Sequence, residues 1–138
     1  MKKIATLLTA LVAAIVCFAL AACNNGPKPV QGDENTVVIT VSSEGFDVAN
    51  KTLKDYMDYL QEEGELTYEM ADGMVTSING KANTTNSYWM LYTSDAEKAN
   101  NSWGTVEYEG NTYGSAMYGA DSLTIKDGCL YIWEYQTF

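Results

Sequence analysis

The sequence contains no histidine and no arginine, and each absence argues against a class of function. Histidine is the commonest general base and metal ligand in proteins, while arginine forms the paired hydrogen bonds by which many proteins hold phosphate and carboxylate groups. With eighteen carboxylates, some pair can always be proposed as acid and base, so composition gives no support for catalysis. We therefore predict that the protein is not an enzyme, with no catalytic residues and no metal site.

Positive charge of any kind is scarce in this chain. The eight basic residues are all lysines, and they stand against eighteen acidic residues, which gives a formal net charge of −10 at pH 7. A surface with this excess of negative charge repels the phosphates of nucleic acids and the headgroups of anionic lipids. We therefore expect no nucleic-acid partner.

The N-terminal segment has the pattern of a bacterial lipoprotein precursor. Two lysines precede an uncharged apolar run over residues 4–22, and Leu20-Ala21-Ala22-Cys23 resembles the lipobox. In lipoproteins the chain is cut before this cysteine, whose thiol then carries diacylglycerol with fatty acyl chains such as palmitate. We predict a signal peptide at 1–22, lipid attachment at Cys23 and a position at the extracytoplasmic face of the cell membrane. An uncleaved signal anchor is the alternative, because about 18 apolar residues can cross a bilayer.

Cysteine and proline are few in the rest of the chain. Once Cys23 carries lipid, Cys129 is the only thiol after the cleavage site, so neither an intramolecular disulfide nor a cysteine-based zinc site can form. Both prolines lie in residues 23–35, which contain almost no apolar side chain. We predict that 23–35 is the lipidated cysteine followed by a flexible tether, and that 36–138 is one folded domain.

Hydrophobic periodicity predicts one helix within a domain of strands. Between a capping residue, Thr52, and a terminating glycine, Gly64, four apolar residues recur at helical spacing: Leu53, Tyr56, Met57 and Leu60. The β-branched segment 36–42 precedes this helix, and short apolar runs follow it at 66–70, 74–78, 88–93, 105–108, 112–118 and 129–136. The turn signals between the runs are Asp72-Gly73, Asn79-Gly80, Glu109-Gly110 and Asp127-Gly128. This order predicts an α+β domain with one helix packed on a mostly antiparallel sheet.

Three motifs, taken in order, resemble one known family. They are Ser77-Ile78-Asn79-Gly80, Tyr88-Trp89 and Lys126-Asp127-Gly128. Over residues 36–138 the chain resembles the transcobalamin-like C-terminal domain, which is common in lipoproteins and surface proteins of Gram-positive bacteria. The resemblance implies a small β-grasp-like fold. The chain departs from the vitamin B12 carriers of this family because it lacks their helical barrel and has an additional hairpin at Trp103–Tyr118.

Aromatic and amide side chains are the candidate ligand-binding residues. The resemblance suggests a cobalamin-like cofactor as ligand, since a corrin offers an apolar ring for stacking and peripheral amides for hydrogen bonds. Trp103 stands among polar and glycine residues outside any periodic strand, so we expect it to be exposed or to face a ligand. The predicted ligand-binding residues are Trp103, Tyr113, Tyr88, Asn79 and Asn101. The alternatives are turn formation for the asparagines and cross-strand packing for the strand aromatics, which include Trp89, Trp133 and Tyr135.

The residues leave two functions open. The first is a lipid-anchored surface binding protein that captures a small amphipathic ligand and passes it to a membrane importer. The second is a structural or adhesive cell-surface module that binds a protein or glycan partner. A concave site walled by aromatics such as Trp103 and Tyr113 would favour the first function, and a flat exposed patch would favour the second.

Overall fold

The computed structural model describes residues 28–138, so the predicted signal peptide 1–22 and the lipid site Cys23 lie outside the described residues. This part of the chain contains one helix and nine strands. Their bounds are β1 (Val30–Gly32), β2 (Thr36–Thr40), α1 (Leu53–Glu62), β3 (Tyr68–Ala71), β4 (Met74–Ile78), β5 (Lys81–Ala82), β6 (Ser87–Thr93), β7 (Ala99–Tyr108), β8 (Asn111–Ala116) and β9 (Leu130–Thr137). Among these residues, no helix has both the length and the apolar character that crossing a membrane requires.

The strands form two sheets. The large sheet has six strands in the order β1-β2-β9-β6-β8-β7, and the small sheet has three in the order β3-β4-β5. All of the strand pairs in both sheets are antiparallel. The prediction of a small α+β domain is confirmed, with one helix, mostly antiparallel strands and an additional hairpin, which is formed by β7 and β8.

The helix α1 begins and ends where its sequence predicts. The hydroxyl of Thr52 accepts the backbone N–H of Asp55, and the carboxylate of Asp55 accepts the backbone N–H of Thr52 at 2.9 Å, which completes a capping box. Beyond the last turn, Gly64 has a φ of +76°, a conformation that glycine adopts without strain. The four predicted apolar residues of α1 are buried in one cluster with residues of the large sheet.

Three hairpins have the tight turns that the sequence predicts. Both residues of each turn have positive φ, as in type I′ turns, and the turns are Asp72-Gly73, Asn79-Gly80 and Glu109-Gly110. Such turns match the right-handed twist of the strands that they join. They therefore set the register of β3 with β4, of β4 with β5 and of β7 with β8.

The large sheet carries a hydrophobic cluster on each face, because successive strand residues point to opposite sides. Trp133 of β9 and Leu91 of β6 belong to the cluster that includes α1, and we call this side the helix face. Ile132 of β9 and Tyr92 of β6 belong to the second cluster, on the side that we call the far face. Residues two positions apart along β6 and β9 therefore share a face, as the period of an extended strand requires.

Curvature of the large sheet brings its two edge strands together at one point. The Tyr108 hydroxyl, at the end of β7, donates to Gln31 Oε1 of β1 at 3.4 Å. Val38 and Val106, which lie on strands next to or at these edges, are both buried in the far-face cluster. The sheet therefore covers part of its own far face, as a partly closed barrel does.

The predicted tether 23–35 needs correction over its last residues. Val30–Gly32 pair with β2 as strand β1, and the backbone N–H of Thr40 donates to the carbonyl of Pro29 at 2.9 Å. The folded part therefore includes residues before position 36. Composition did not reveal this strand because a backbone ladder on a sheet edge requires no apolar side chain.

The prediction that Trp103 lies outside the strands is wrong, because β7 runs through it. The register of β7 with β8 shifts between Asn100 and Thr105, and Gly104 has a φ of +136°. A bulge of this kind interrupts the alternation of side chains by which a strand is recognised in a sequence. The exposure that we predicted for Trp103 is confirmed, since 63% of its surface is accessible.

Candidate ligand-binding site

A pocket of about 270 Å³ opens on the helix face where the small sheet meets the large one. Its residues come from the turn before β4 and the start of that strand, from β6 and β9, and from the end of β8 and the segment that follows it. The buried members of the lining are mainly apolar and include Val75, Trp89, Leu91, Ala120 and Trp133. The exposed members are Gly73, Met74, Tyr118 and Gly119. The site therefore has an apolar floor and an accessible rim, which is the usual form of a small-molecule site.

Two turns that are distant in the chain form this rim. Gly119 approaches Gly73 so closely that a Cβ atom on Gly119 would lie 3.2 Å from the Gly73 carbonyl oxygen. The segment after Gly119 is held against α1, because the Lys54 backbone N–H donates to the Ala120 carbonyl at 2.8 Å. The first N–H groups of a helix have no partner within the helix, and here one of them fixes a side of the pocket.

The rim carries two of the four large apolar side chains that are exposed in residues 28–138. Met74 is 61% exposed at the start of β4, and Tyr118 is 49% exposed in the segment after β8. Covering such side chains would contribute about 25 cal/mol for each Å² of apolar surface removed from water. Their position beside an apolar pocket indicates a surface that a ligand would cover.

The two buried tryptophans of the pocket differ in the hydrogen bonding of their indole N–H groups. The Trp89 indole N–H donates to the Lys81 carbonyl of β5 at 2.8 Å. Trp133 is only 4% exposed, and its Nε1 has no hydrogen-bond partner in residues 28–138. A buried donor that loses its hydrogen bond to water, and gains no other, costs about 1–3 kcal/mol. Trp133 therefore lines the pocket and keeps a buried hydrogen-bond donor that no group in residues 28–138 uses.

Charged groups stand beside the pocket but do not line it. A Cβ atom on Gly73 would lie 3.1 Å from Asp121 Oδ2, so this carboxylate is next to the rim. On the opposite part of the rim, the Lys98 ammonium lies 5.4 Å from the centre of the Tyr118 ring, in a cation–π contact. None of the lining residues carries a formal charge. The interior of the pocket is therefore uncharged, although both signs are present outside it.

The residue that follows Trp133, Glu134, also has a buried polar atom without a partner, and it lies on the far face. Glu134 Oε2 is buried and accepts no hydrogen bond from residues 28–138. Burial raises the pKa of Glu134 above its ordinary value, and the nearby charge of Asp33 raises this pKa further. Glu134 therefore holds its proton more tightly than an exposed glutamate does.

Two of the residues predicted to bind a ligand lie together, away from this pocket. Tyr113 of β8 and Asn101 of β7 line a second depression, of about 450 Å³, beside Thr93 and Gly114. The Asn101 amide oxygen packs against Gly114, where a side chain would collide with it. The depression has equal polar and apolar character, and no buried unpartnered group lines it within the described residues.

The other three predicted residues are scattered. Asn79 lies in the turn between β4 and β5, where its amide oxygen accepts the Thr67 backbone N–H at 3.0 Å. The Tyr88 hydroxyl donates to the Thr85 carbonyl at 2.7 Å. Asn79 also lines a third pocket, of about 420 Å³, together with Lys81 and Trp89, and Trp103 lines none of the three pockets. For Asn79, the structure shows the turn-forming use that was the alternative to ligand binding.

Sequence reasoning missed Met74 and Tyr118 as site residues. Met74 directly follows the Asp72-Gly73 turn, and an apolar residue beside a tight turn is a weak signal of exposure. Tyr118 comes just after a run of strand residues and resembles its end. Trp133 was considered only as a core residue or a stacking platform, and its burial agrees with the first of these interpretations.

Carboxylates do not assemble a metal site in the part of the chain described. Asp95 and Glu97 are bridged by Lys126, whose ammonium lies 3.4 Å from Asp95 Oδ1 and 2.8 Å from Glu97 Oε2. This contact raises the pKa of Lys126 and lowers that of Glu97. No group of three or more cysteine, aspartate or glutamate residues close enough to hold a metal ion is found in residues 28–138.

Comparisons with protein-family models, with curated proteins and with solved structures find no match to this chain. The resemblance to the transcobalamin-like family therefore stays a prediction. Function has to be argued from the chemistry of the site, because a fold alone does not specify one.

Proposed function

We propose that this is a non-enzymatic, lipid-anchored surface protein that captures a small amphipathic ligand in the pocket on the helix face. The observation that carries the proposal is that an apolar pocket is lined by Trp133, whose buried indole N–H has no partner in residues 28–138. An acceptor on a ligand would satisfy this donor, and the apolar part of the ligand would cover Met74 and Tyr118 at the rim.

The proposed anchor at Cys23 would hold the pocket close to the membrane. Only six residues separate Cys23 from the first strand residue, Val30, and they reach at most about 25 Å even when fully extended. A binding protein held at this distance can pass its ligand to an importer in the same membrane without releasing it far into solution. The proposed place of action is the extracytoplasmic face of the cell membrane.

Cobalamin is the first ligand to test, because the family resemblance suggests it. A corrin ring is too large for a pocket of about 270 Å³. A cobalamin would therefore lie across the rim, in contact with Met74 and Tyr118, and place only a peripheral group inside. Smaller amphipathic ligands would enter the pocket entirely.

The test is equilibrium binding to a soluble form of residues 24–138, which retains both hydrophobic clusters and both sheets. Cobalamin binding would be followed by corrin absorbance, and binding of smaller amphipathic compounds by tryptophan fluorescence. Saturable binding in the micromolar range or below supports the proposal. Failure of every compound to bind a folded domain would contradict it.

Two exposed aromatic residues provide a matched pair of variants. Tyr118→Ala should weaken binding about tenfold, because it removes a ring from the rim. Trp103→Ala should leave binding unchanged, since Trp103 is also exposed but does not line the pocket. If Trp103→Ala weakened binding and Tyr118→Ala did not, the ligand would lie elsewhere.

The alternative, a structural or adhesive module, is supported by one observation. Trp103 is 63% exposed on β7, which is an edge strand of the large sheet. An exposed tryptophan at an edge is suited to contact with a protein or glycan surface. Under this alternative the soluble domain binds isolated cell-surface glycan or protein, Trp103→Ala abolishes the binding, and Tyr118→Ala does not affect it.

A further inference from the structure

We infer that the pocket takes a neutral, planar aromatic ring that carries one hydrogen-bond acceptor. This inference rests on the proposed function, because it names the class of ligand for the same site. It follows from four properties of the pocket, which are its size, the nature of its walls, the absence of charge in its lining and its single unused donor.

The size of the pocket limits the ligand to a small compound. Its volume of about 270 Å³ is just below the roughly 300 Å³ at which pockets for drug-sized ligands begin. One or two fused rings fill such a space, whereas a larger ring system would extend into solvent. The ligand, or the part of it that is recognised, is therefore of this size.

The walls of the pocket favour an aromatic ring over an aliphatic chain. Trp89, Trp133 and Tyr118 line it, and aromatic side chains attract other rings in stacked or edge-to-face arrangements. Met74 and Met117 also line it, and thioether sulfurs make favourable contacts with ring edges. Methionine is flexible, so these two residues can adjust to the outline of the ring.

The uncharged lining of the pocket excludes an ionised ligand. A charged group that leaves water must be paired or its burial costs several kcal/mol, and none of the lining residues has a charge to offer. Asp121 and Lys98 remain outside, where they face solvent as well as the rim. The net charge of −10 further opposes the approach of an anion.

The unused indole N–H of Trp133 favours a ligand that carries a hydrogen-bond acceptor. Three buried side-chain atoms in residues 28–138 lack a hydrogen-bond partner, and Trp133 Nε1 is the one whose residue lines the pocket. The Trp89 donor is already used by the Lys81 carbonyl. A ring nitrogen or carbonyl oxygen that reaches Trp133 gains a hydrogen bond without breaking one in the protein.

Quinoline and naphthalene test this inference, because they have the same size and shape and differ in one acceptor nitrogen. Their binding to soluble 24–138 is measured near neutral pH, by fluorescence and by nuclear magnetic resonance of ¹⁵N-labelled protein. We expect quinoline to bind about tenfold more tightly than naphthalene, as one additional hydrogen bond to a buried donor predicts. 2-Naphthoate, which adds a negative charge to the same ring, should bind more weakly than either.

The three tryptophans give the experiment a residue-specific signal. Quinoline should shift the indole N–H resonance of Trp133 downfield and leave that of Trp103 in place, whereas naphthalene should cause no such downfield shift. Each resonance is assigned by a tryptophan-to-phenylalanine variant. Trp133→Phe should also reduce quinoline affinity to that of naphthalene, and Trp103→Phe should leave the tenfold preference unchanged.

The outcomes separate this inference from the proposed function. Equal binding of quinoline and naphthalene would overturn the acceptor requirement while the apolar pocket remained a binding site. Tight binding of 2-naphthoate would overturn the requirement for a neutral ligand. Quinoline binding without a Trp133 shift would place the ring elsewhere and overturn the inference, even if Trp133→Phe did not fold. Failure of all three rings to bind would contradict both the inference and the pocket as the functional site.

Discussion

The two faces of the large sheet are built from the same strands but are covered in different ways. On the helix face, α1, the small sheet, the large sheet and the segments between them bury seventeen residues in one cluster. On the far face, four residues are buried, and the curvature of the sheet provides part of the cover. A cover made of separate elements leaves a gap where those elements meet, and this gap is the pocket. A sheet that curls over itself forms no such junction.

The same contrast is visible in two adjacent residues of β9. Trp133 points to the helix face and leaves an N–H donor without a partner, whereas Glu134 points to the far face and leaves a carboxylate oxygen without one. The first lies in a pocket with an exposed apolar rim, and the second lies on a face for which no such rim is described. An unpartnered polar atom therefore indicates a ligand site only where the surrounding surface is shaped to receive one.

The largest effect that we predict concerns the cores of the two faces. Ile39 of β2 faces α1, Ile132 of β9 lies on the far face, and both side chains are fully buried. Replacement by alanine should lower the free energy of unfolding by about 2–5 kcal/mol at each position. Ile39→Ala should fall near the upper end, because a cluster confined by several elements relaxes less around a cavity. Urea unfolding of both variants tests this, and a larger loss at Ile132 would contradict the contrast between the faces.

A smaller effect is predicted for the two pocket tryptophans. Trp89→Phe removes a buried hydrogen bond to Lys81, while Trp133→Phe removes a donor that has no partner. The two residues are buried to nearly the same extent, so the loss of packing should be similar. We expect Trp89→Phe to destabilise the protein by about 1–2 kcal/mol more than Trp133→Phe, as measured by urea unfolding without ligand. Equal losses would mean that the Trp133 donor has an unidentified partner.

The smallest effect is a pH dependence on the far face. Burial raises the pKa of Glu134 in the folded state above its value in the unfolded state. The folded protein is therefore more stable when Glu134 is protonated, and it loses this stability as the pH rises through the raised pKa. Glu134→Gln should therefore raise the urea midpoint at neutral pH, and the gain should disappear by about pH 4, where the wild-type group is protonated. Glu107→Gln, at an exposed position on β7, is the control and should show no such change. A gain that persisted at low pH would argue against ionisation as its cause.

The elements that sequence predicted well are those determined by neighbouring residues. The cap of the helix at Thr52 and the turns at Asp72-Gly73 and Asn79-Gly80 depend on interactions within a few positions of the chain. The errors have a common origin. Strand β1 is held by backbone hydrogen bonds to β2, and the bulge in β7 is fitted to β8, so neither leaves a local pattern of side chains.

The candidate site was predicted less well than the fold. Aromatic and amide residues were proposed because of their chemistry, and of the five only Tyr113 and Asn101 lie together. The pocket instead uses Met74 and Tyr118, which are 44 positions apart in the chain. No periodicity connects two turns at that separation, so their contact was not accessible to sequence reasoning.

The sequence by itself determined the α+β composition, the limits of the helix and the tight turns. It did so because dihedral preferences and side-chain periodicity act over a few residues. Tertiary structure alone decided that Gly73 and Gly119 meet, that Trp89 finds an acceptor and that Trp133 does not. These outcomes depend on how close distant segments come when they pack, and a change of one ångström is enough to make or remove a hydrogen bond.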